Sequence, residues 1–154
     1  MVRAGWVGWK RGDEMCGLSP DLYDGRAEET MNGSVVTFLL TKDPAAAVTF
    51  YRDTLGLTFK RDDGFALVFD MDGVMLRIAR LKEVTPAQNT VLGWEVEQIA
   101  TAVRELVAKG VAFERYPGMQ LDADGVCTFP NGDKVAWFKD PDGNVLSLSQ
   151  HAAI

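Results

Sequence analysis

The chain has 154 residues, of which 47% are hydrophobic, and a formal charge of −6 from 16 basic and 22 acidic side chains. This length and composition fit one domain with its own apolar core. The acidic balance argues against nucleic-acid binding, which needs a basic patch, and no stretch approaches the roughly 20 apolar residues of a membrane helix. Cys16 and Cys127 match neither a disulfide framework nor a zinc spacing. These features predict a cytoplasmic protein that binds neither nucleic acid nor a membrane.

Residues 1–32 differ from the rest of the chain, because they are rich in glycine and follow neither a strand nor a helix period. They predict an irregular N-terminal arm. Regular periodicity begins directly after Met31, so we hypothesise that Met31 is the biological start. N-terminal sequencing of the native protein would test this, and finding Met1 or Val2 would contradict it.

Residues 33–80 predict a first structural module. The β-branched and aromatic run Val35–Leu40 predicts a strand. Asp43 followed by Pro44 predicts the start of a helix, and Gly56 predicts its end. Three further strands are predicted between turns rich in Asp and Gly: Leu57–Lys60, Phe65–Phe69 and Val74–Ala79. The module therefore has the order βαβββ.

After a linker at 81–90, the same order repeats over residues 91–150, and residues 151–154 form a tail. The corresponding landmarks lie further apart in this second module, which predicts an insertion at about 117–133. The predicted elements are a helix and four strands: strand Val91–Glu97, helix Gln98–Lys109, and strands Val111–Arg115, Val135–Phe138 and Val145–Ser149.

A βαβββ unit covers one face of its sheet with the helix and leaves the other face open. Two units side by side predict an α+β fold, in which tandem βαβββ repeats form a curved mixed sheet around a concave cleft. A binding site is expected in that cleft. The pattern leaves open whether the modules pair within one chain or across a dimer.

Two motifs carry a resemblance to a known family. The first is Asp43, then Phe50-Tyr51, then Leu55-Gly56-Leu57; the second is the run Trp137–Leu146, which contains the turn Asp-Pro-Asp-Gly. Over residues 34–150 the chain resembles the vicinal oxygen chelate superfamily, which includes glyoxalase I, extradiol dioxygenases, and the fosfomycin- and bleomycin-resistance proteins. The resemblance implies the tandem fold described above.

Metal enzymes of this superfamily place a His or carboxylate ligand on the first and last strand of each module. The resemblance assigns those positions to Val36, Arg77, Val91 and Ser147, and none of these is such a ligand. The single histidine, His151, lies beyond the last strand. The resemblance thus implies a metal-free, bleomycin-resistance-like member without a cofactor, which forms a homodimer and binds a small molecule.

Strand alternation predicts which side chains line the cleft. The predicted ligand-binding residues are Phe38, Met75, Arg77, Glu95, Trp137 and Ser147. Three interpretations of Arg77 stay open: an ion pair with Glu95, a clamp for an anionic ligand, or exposure to solvent. Arg77 and Glu95 are also the candidate catalytic residues. Trp94 and Trp137, with Tyr116 nearby, either stack on a planar ligand or pack in the core.

The predicted function is therefore a glyoxalase/bleomycin-resistance/dioxygenase-like protein that binds a small aromatic or amphipathic molecule in the cleft without a metal. The alternative is an enzyme of the same superfamily, a lyase, isomerase or dioxygenase, with atypical or metal-free chemistry. A third interpretation is a structural or regulatory module whose pocket is filled by its own side chains.

Overall fold

The structure is a computed structural model, and it describes residues 33–152. The predicted arm at 1–32, the proposed start at Met31 and the last two residues of the tail lie outside this range. Within it, the elements follow in chain order: β1 (Val36–Thr41), α1 (Pro44–Val48), a π-helical segment (Thr49–Thr54), β2 (Thr58–Asp62), β3 (Ala66–Met71), β4 (Val74–Arg80), β5 (Thr90–Glu95), α2 (Ile99–Ala108), β6 (Cys127–Thr128), β7 (Lys134–Lys139) and β8 (Val145–Gln150).

The strands form two four-stranded sheets with equivalent topology, ordered β1-β4-β3-β2 and β5-β8-β7-β6. In each sheet the first strand of the module runs parallel to the last, and the other pairs are antiparallel. The predicted α+β class and the tandem βαβββ order are confirmed. The described strands make two separate sheets rather than one continuous sheet.

The first helix begins as its sequence predicts. The Asp43 side chain accepts a hydrogen bond from the Ala46 amide at 3.0 Å, and Pro44 occupies the first helical position. The later turns were not predicted to be π-helical. The segment Thr49–Thr54 ends with the Leu55 amide donating to the Phe50 carbonyl at 2.9 Å. Gly56 then ends the helical region with a φ of 78°, a left-handed conformation that favours glycine.

The prediction of a strand at Val111–Arg115 is wrong. This segment makes one isolated bridge, between Phe113 and Phe138, and the fourth strand of the second sheet is the short β6 instead. Pro117, two residues after Arg115, lacks the amide that a longer ladder needs. The Arg115 guanidinium meanwhile donates to the carbonyls of Asp122 and Ala123, so it holds the insertion rather than extending a strand.

The helix-covered faces of both sheets share one apolar core. Phe138 is fully buried in this core, and its ring centroid lies 6.5 Å from Phe50, 6.5 Å from Trp94 and 5.4 Å from Phe113. Residues from both modules contribute to the cluster, including Leu39, Tyr51, Phe69, Leu76, Ile78, Ile99, Val103, Ala136, Leu146 and Leu148. The two modules are therefore packed into one structural unit through their helical sides.

A buried polar network, here called the joint, connects the modules through Tyr51, Asp140, Asn144 and Leu40. The Tyr51 hydroxyl donates to Asp140 Oδ2 at 2.7 Å, and Asn144 Nδ2 donates to the same oxygen at 2.7 Å. Asn144 Nδ2 also donates to the Leu40 carbonyl at 3.1 Å. Burial, followed by the charge of Asp140, raises the pKa of Tyr51 above its ordinary value. The Asp-Pro-Asp-Gly turn, predicted only as a turn, thus joins the two modules.

Within residues 33–152, neither helix is long and apolar enough to cross a membrane.

Candidate functional site

Each sheet has one face that its helix leaves uncovered. We define the first open face by Val36, Phe38 and Leu40 of β1 with Met75 and Arg77 of β4, because the register places Val36 beside Met75 and Phe38 beside Arg77. The four apolar side chains are 39%, 64%, 38% and 38% exposed in the order Val36, Phe38, Leu40 and Met75. The predicted residues Phe38, Met75 and Arg77 are therefore brought together on one apolar surface.

Arg77 is held by an acidic turn next to this face. Its Nη2 donates to Asp63 Oδ2 at 2.6 Å, and the two side chains are 26% and 23% exposed. Hydrogen bonds from the backbone amide of Ala66 and from Arg77 lower the pKa of the Asp63 carboxyl below its usual range. The ion-pair partner of Arg77 is thus Asp63, whereas the sequence had offered Glu95.

We define the second open face by Gly93 and Glu95 of β5, Trp137 of β7 and Ser147 of β8. The register places Ser147 between Gly93 and Trp137. The strands approach closely here, because a Cβ added at Gly93 would lie 2.7 Å from Ser147 Oγ. Three of the predicted ligand-binding residues, Glu95, Trp137 and Ser147, therefore share this face.

Glu95 lies at the exposed end of its strand, in a shallow depression shared with Val96, Glu97, Gln150 and His151. A carboxylate acts as a general base near neutral pH when burial raises its basicity. The exposure of Glu95 provides no such burial. The geometry therefore gives Glu95 no environment suited to general-base chemistry.

The two tryptophans of the second module lie on opposite faces of its sheet. Trp94 faces the core, where its ring stacks on Phe138 with an interplanar angle of 24°. Trp137 lies on the second open face, where Tyr116 packs against it edge-to-face with a centroid distance of 5.8 Å. The two rings cannot stack on one ligand, so only Trp137 with Tyr116 stays available to the open face.

One cavity lies beside the second open face, and a larger cleft lies on the helical side of the sheets. A pocket of about 490 Å³ beside Trp137 and Tyr116 is also lined by Met119 of the insertion and by Gln88 and Asn89 of the linker. A cleft of about 780 Å³ lies on the helical side of the sheets, where Trp94 and Leu92 face Leu55 and Met71. None of the six predicted ligand-binding residues lines this second cleft.

The four positions that the resemblance assigned to metal ligands do not suit a metal. Val36 and Arg77 belong to the first open face and Ser147 belongs to the second, whereas Val91 lies at a register shift of β5 between Thr90 and Leu92. These side chains offer two hydrocarbons, one hydroxyl and one guanidinium cation, which repels a divalent ion. Among residues 33–152, no group of three or more His, Cys, Asp or Glu side chains is arranged to hold a metal.

Sequence reasoning missed the role of Asp63. The run Asp62-Asp63-Gly64 indicated a turn, and the two acids of this turn were not matched to the two arginines of β4. Asp62 pairs with Arg80 and Asp63 pairs with Arg77. The signal was present in the sequence: two adjacent acids, Asp62-Asp63, lie in a turn, and the spacing Arg-x-x-Arg occurs in β4. Matching the acids to the arginines would have identified both ion pairs.

The family model of the glyoxalase/bleomycin resistance protein/dioxygenase superfamily matches residues 33–148. No curated protein sequence matches the chain. Solved structures share the fold at low identity. A lactoylglutathione lyase from Agrobacterium tumefaciens is 19% identical with a TM-score of 0.59, over 77% of this chain and 93% of that chain.

Two further structures agree. A glyoxalase/bleomycin resistance protein/dioxygenase from Nocardioides is 19% identical with a TM-score of 0.60, over 81% of this chain and 87% of that chain. A superfamily member from Sphaerobacter thermophilus DSM 20745 is 19% identical with a TM-score of 0.60, over 77% and 97%. With its tandem βαβββ modules and this match, the chain belongs to the glyoxalase/bleomycin resistance protein/dioxygenase superfamily.

Proposed function

We propose that the protein binds a small aromatic or amphipathic molecule on its open faces, without a metal, and that a homodimer completes the site. One observation carries the proposal: four exposed large apolar side chains lie together on the first open face. Apolar groups clustered on one exposed surface are typical of surfaces that bind a ligand or a partner. The resemblance to the superfamily implies a small-molecule ligand and a homodimer as well.

The metal-free part of the proposal rests on the residues at the four assigned positions. Val36, Arg77, Val91 and Ser147 supply no carboxylate, imidazole or thiolate. We expect elemental analysis of protein purified without chelators or a histidine tag to find almost no divalent metal. One tightly bound divalent ion per chain would contradict this part of the proposal.

The homodimer is supported by the same first open face. A sheet face with Phe38 64% exposed leaves apolar area in water, and covering it with a second copy would remove that area from water. Because each sheet is open on the side away from the helices, a partner that approaches this side also encloses any ligand bound there.

The catalytic alternative needs Arg77 and Glu95 as working groups. One observation weighs against it: Glu95, the candidate base, is exposed to solvent. A Glu95→Gln variant discriminates between the two functions, because turnover of an enzyme would collapse while ligand binding would persist.

Fluorescence titration with N-phenyl-1-naphthylamine, a neutral aromatic probe, tests binding directly. We expect saturable binding to the wild-type protein and at least fivefold weaker binding to Phe38→Ser. The matched control is Phe65→Ser, because Phe65 is 83% exposed and lies outside the first open face. Absence of saturable binding, or equal losses in both variants, would contradict the proposal.

We also propose a cytoplasmic location. The support is Cys127, which is a buried free thiol, as expected for a protein in a reducing compartment. Fractionation of the native host, with the protein found outside the cytoplasm, would overturn this.

A further inference from the structure

We infer that the ligand of the first open face is an anion, an aromatic or amphipathic molecule whose carboxylate, sulfonate or phosphate group binds Arg77. This inference rests on the proposed function, because it names the chemical class of ligand for the same face.

The position of Arg77 is the first argument. Its backbone lies beside that of Phe38 on one side and that of Val68 on the other, and its side chain is 26% exposed. Phe38 is 64% exposed, so an aromatic platform and a guanidinium are neighbours on one surface. A ligand with an apolar body and an acidic group matches both parts.

The hydrogen bonding of Arg77 is the second argument. Among residues 33–152, its guanidinium donates to Asp63 alone, through Nη2 at 2.6 Å. A guanidinium has five N–H donors arranged in a planar fork, so an edge of the group stays able to bind an anion through two parallel hydrogen bonds. Arginine is the residue best suited to such bidentate recognition.

Asp63 acts as the positioning residue for this arginine. Its Oδ1 accepts from the amides of Phe65 at 3.1 Å and Ala66 at 2.8 Å, while its Oδ2 accepts from Arg77. The backbone of its own turn thus holds the Asp63 carboxylate in place, and the carboxylate holds the Arg77 guanidinium in place. A fixed guanidinium loses less conformational entropy when an anion binds.

Stability alone does not explain a charge at this place. Exposed or half-exposed ion pairs contribute little to folding, and an apolar side chain would suit the surrounding strand. Arg80 provides the comparison, because it pairs with Asp62 of the same hairpin but lies outside the first open face. Arg80 therefore supplies a matched control with the same pairing and no place at the proposed site.

Two probes that differ by one sulfonate test the inference. We would titrate 8-anilinonaphthalene-1-sulfonate and its neutral counterpart N-phenyl-1-naphthylamine against the full-length wild-type protein and its variants. The wild type should bind the sulfonate at least tenfold more tightly than the neutral probe. Arg77→Met should abolish that preference, whereas Arg80→Met should preserve it.

The outcomes separate this inference from the proposed function. If the wild type binds both probes equally, or if Arg77→Met keeps the preference for the sulfonate, the anion inference is overturned and small-molecule binding stands. If neither probe binds the wild type, both are overturned. Near-UV circular dichroism checks that each variant is folded. Should Arg77→Met not fold, Arg77→Lys carries the test, because it keeps the charge without the fork and should weaken sulfonate binding severalfold.

Discussion

Tyr51 is the residue on which the contact between the modules depends most directly. It is fully buried, and its hydroxyl donates to Asp140 at 2.7 Å. We expect Tyr51→Phe to lower the free energy of unfolding by about 1.5–3 kcal/mol, because the hydrogen bond is made to a charged group. Urea unfolding followed by circular dichroism measures this change.

The matched control is Tyr116→Phe. Among the described residues, the Tyr116 hydroxyl is buried without a hydrogen-bond partner, so its removal should leave stability unchanged or slightly raised. Equal losses in the two variants would mean that the bond to Asp140 contributes nothing specific.

Tyr51 also predicts a stability decline at alkaline pH. Burial and then Asp140 raise the pKa of this phenol in the folded protein, whereas in the unfolded chain it ionises near its ordinary value of about 10. The stabilisation is complete below about pH 10 and is lost above it, by up to about 1.4 kcal/mol per pH unit. Urea unfolding between pH 9 and pH 11 should show a smaller decline in Tyr51→Phe; parallel declines would contradict this.

Gly93 lies where two strands approach too closely for a larger side chain, and it does not form a turn. Its added Cβ would lie 2.7 Å from the Ser147 hydroxyl and 3.4 Å from the Ser147 carbonyl oxygen. We expect Gly93→Ala to cost about 1–3 kcal/mol by overpacking. In a Ser147→Ala background the cost should fall, and a double-mutant cycle with no coupling would contradict the close approach.

For Arg77, the sequence predicted the face of the strand correctly but not the ion-pair partner. Alternation along β4 placed Arg77 on the same face as Met75, and the register agrees. The partner Asp63 lies in the turn between β2 and β3, two strands whose pairing shifts register between Phe59 and Arg61. Side-chain pairing across such an irregularity depends on local backbone geometry, which a periodic pattern does not contain.

At the scale of elements, the turn between β7 and β8 does more than reverse the chain. Asn144 is 5% exposed and donates both to Leu40 of the first module and to Asp140 of its own turn. We expect Asn144→Ala to cost about 2 kcal/mol, because it removes a buried amide that donates to both Leu40 and Asp140. Thermal and urea unfolding measure the loss.

The control for this turn is Asn131→Ala in the turn before β7. Asn131 Nδ2 donates to Asp133 at 2.8 Å on the exposed surface, so its loss should cost less than about 1 kcal/mol. A loss of stability as large as that of Asn144→Ala would contradict the view that the joint contributes more to stability than an ordinary surface turn.

Most elements follow from the sequence because their signals are local. Alternating β-branched residues, the Asp43-Pro44 start and the turns with Gly64 and Gly73 place strands and helix within about two residues. Val111–Arg115 has the same strand-like pattern, yet it forms only a bridge to β7, and β6 from the insertion pairs with the neighbouring residues of β7. Which of two segments pairs with an edge strand depends on both of them, so the sequence pattern of either segment alone does not predict it.

At the scale of the whole molecule, the first open face predicts self-association. Analytical ultracentrifugation should find the wild-type protein as a dimer rather than as a single chain of 16.9 kDa. Phe38→Asp should shift the protein toward monomer, because a carboxylate buried at an apolar contact lacks a partner. Phe65→Asp should stay dimeric; a monomeric wild type would contradict the proposed assembly.

The joint at Asp140 restricts which modules can replace the two halves of this chain. The carboxylate belongs to the second module, and the phenol of Tyr51 that donates to it belongs to the first. The corresponding turn of the first module uses Asp70 differently, with Gly73 and Lys60 as donors. A gene that encoded two identical copies of either half would lack one side of this contact. The duplicated halves are therefore not interchangeable, and a chimera with a related protein must transfer Tyr51 and Asp140 together.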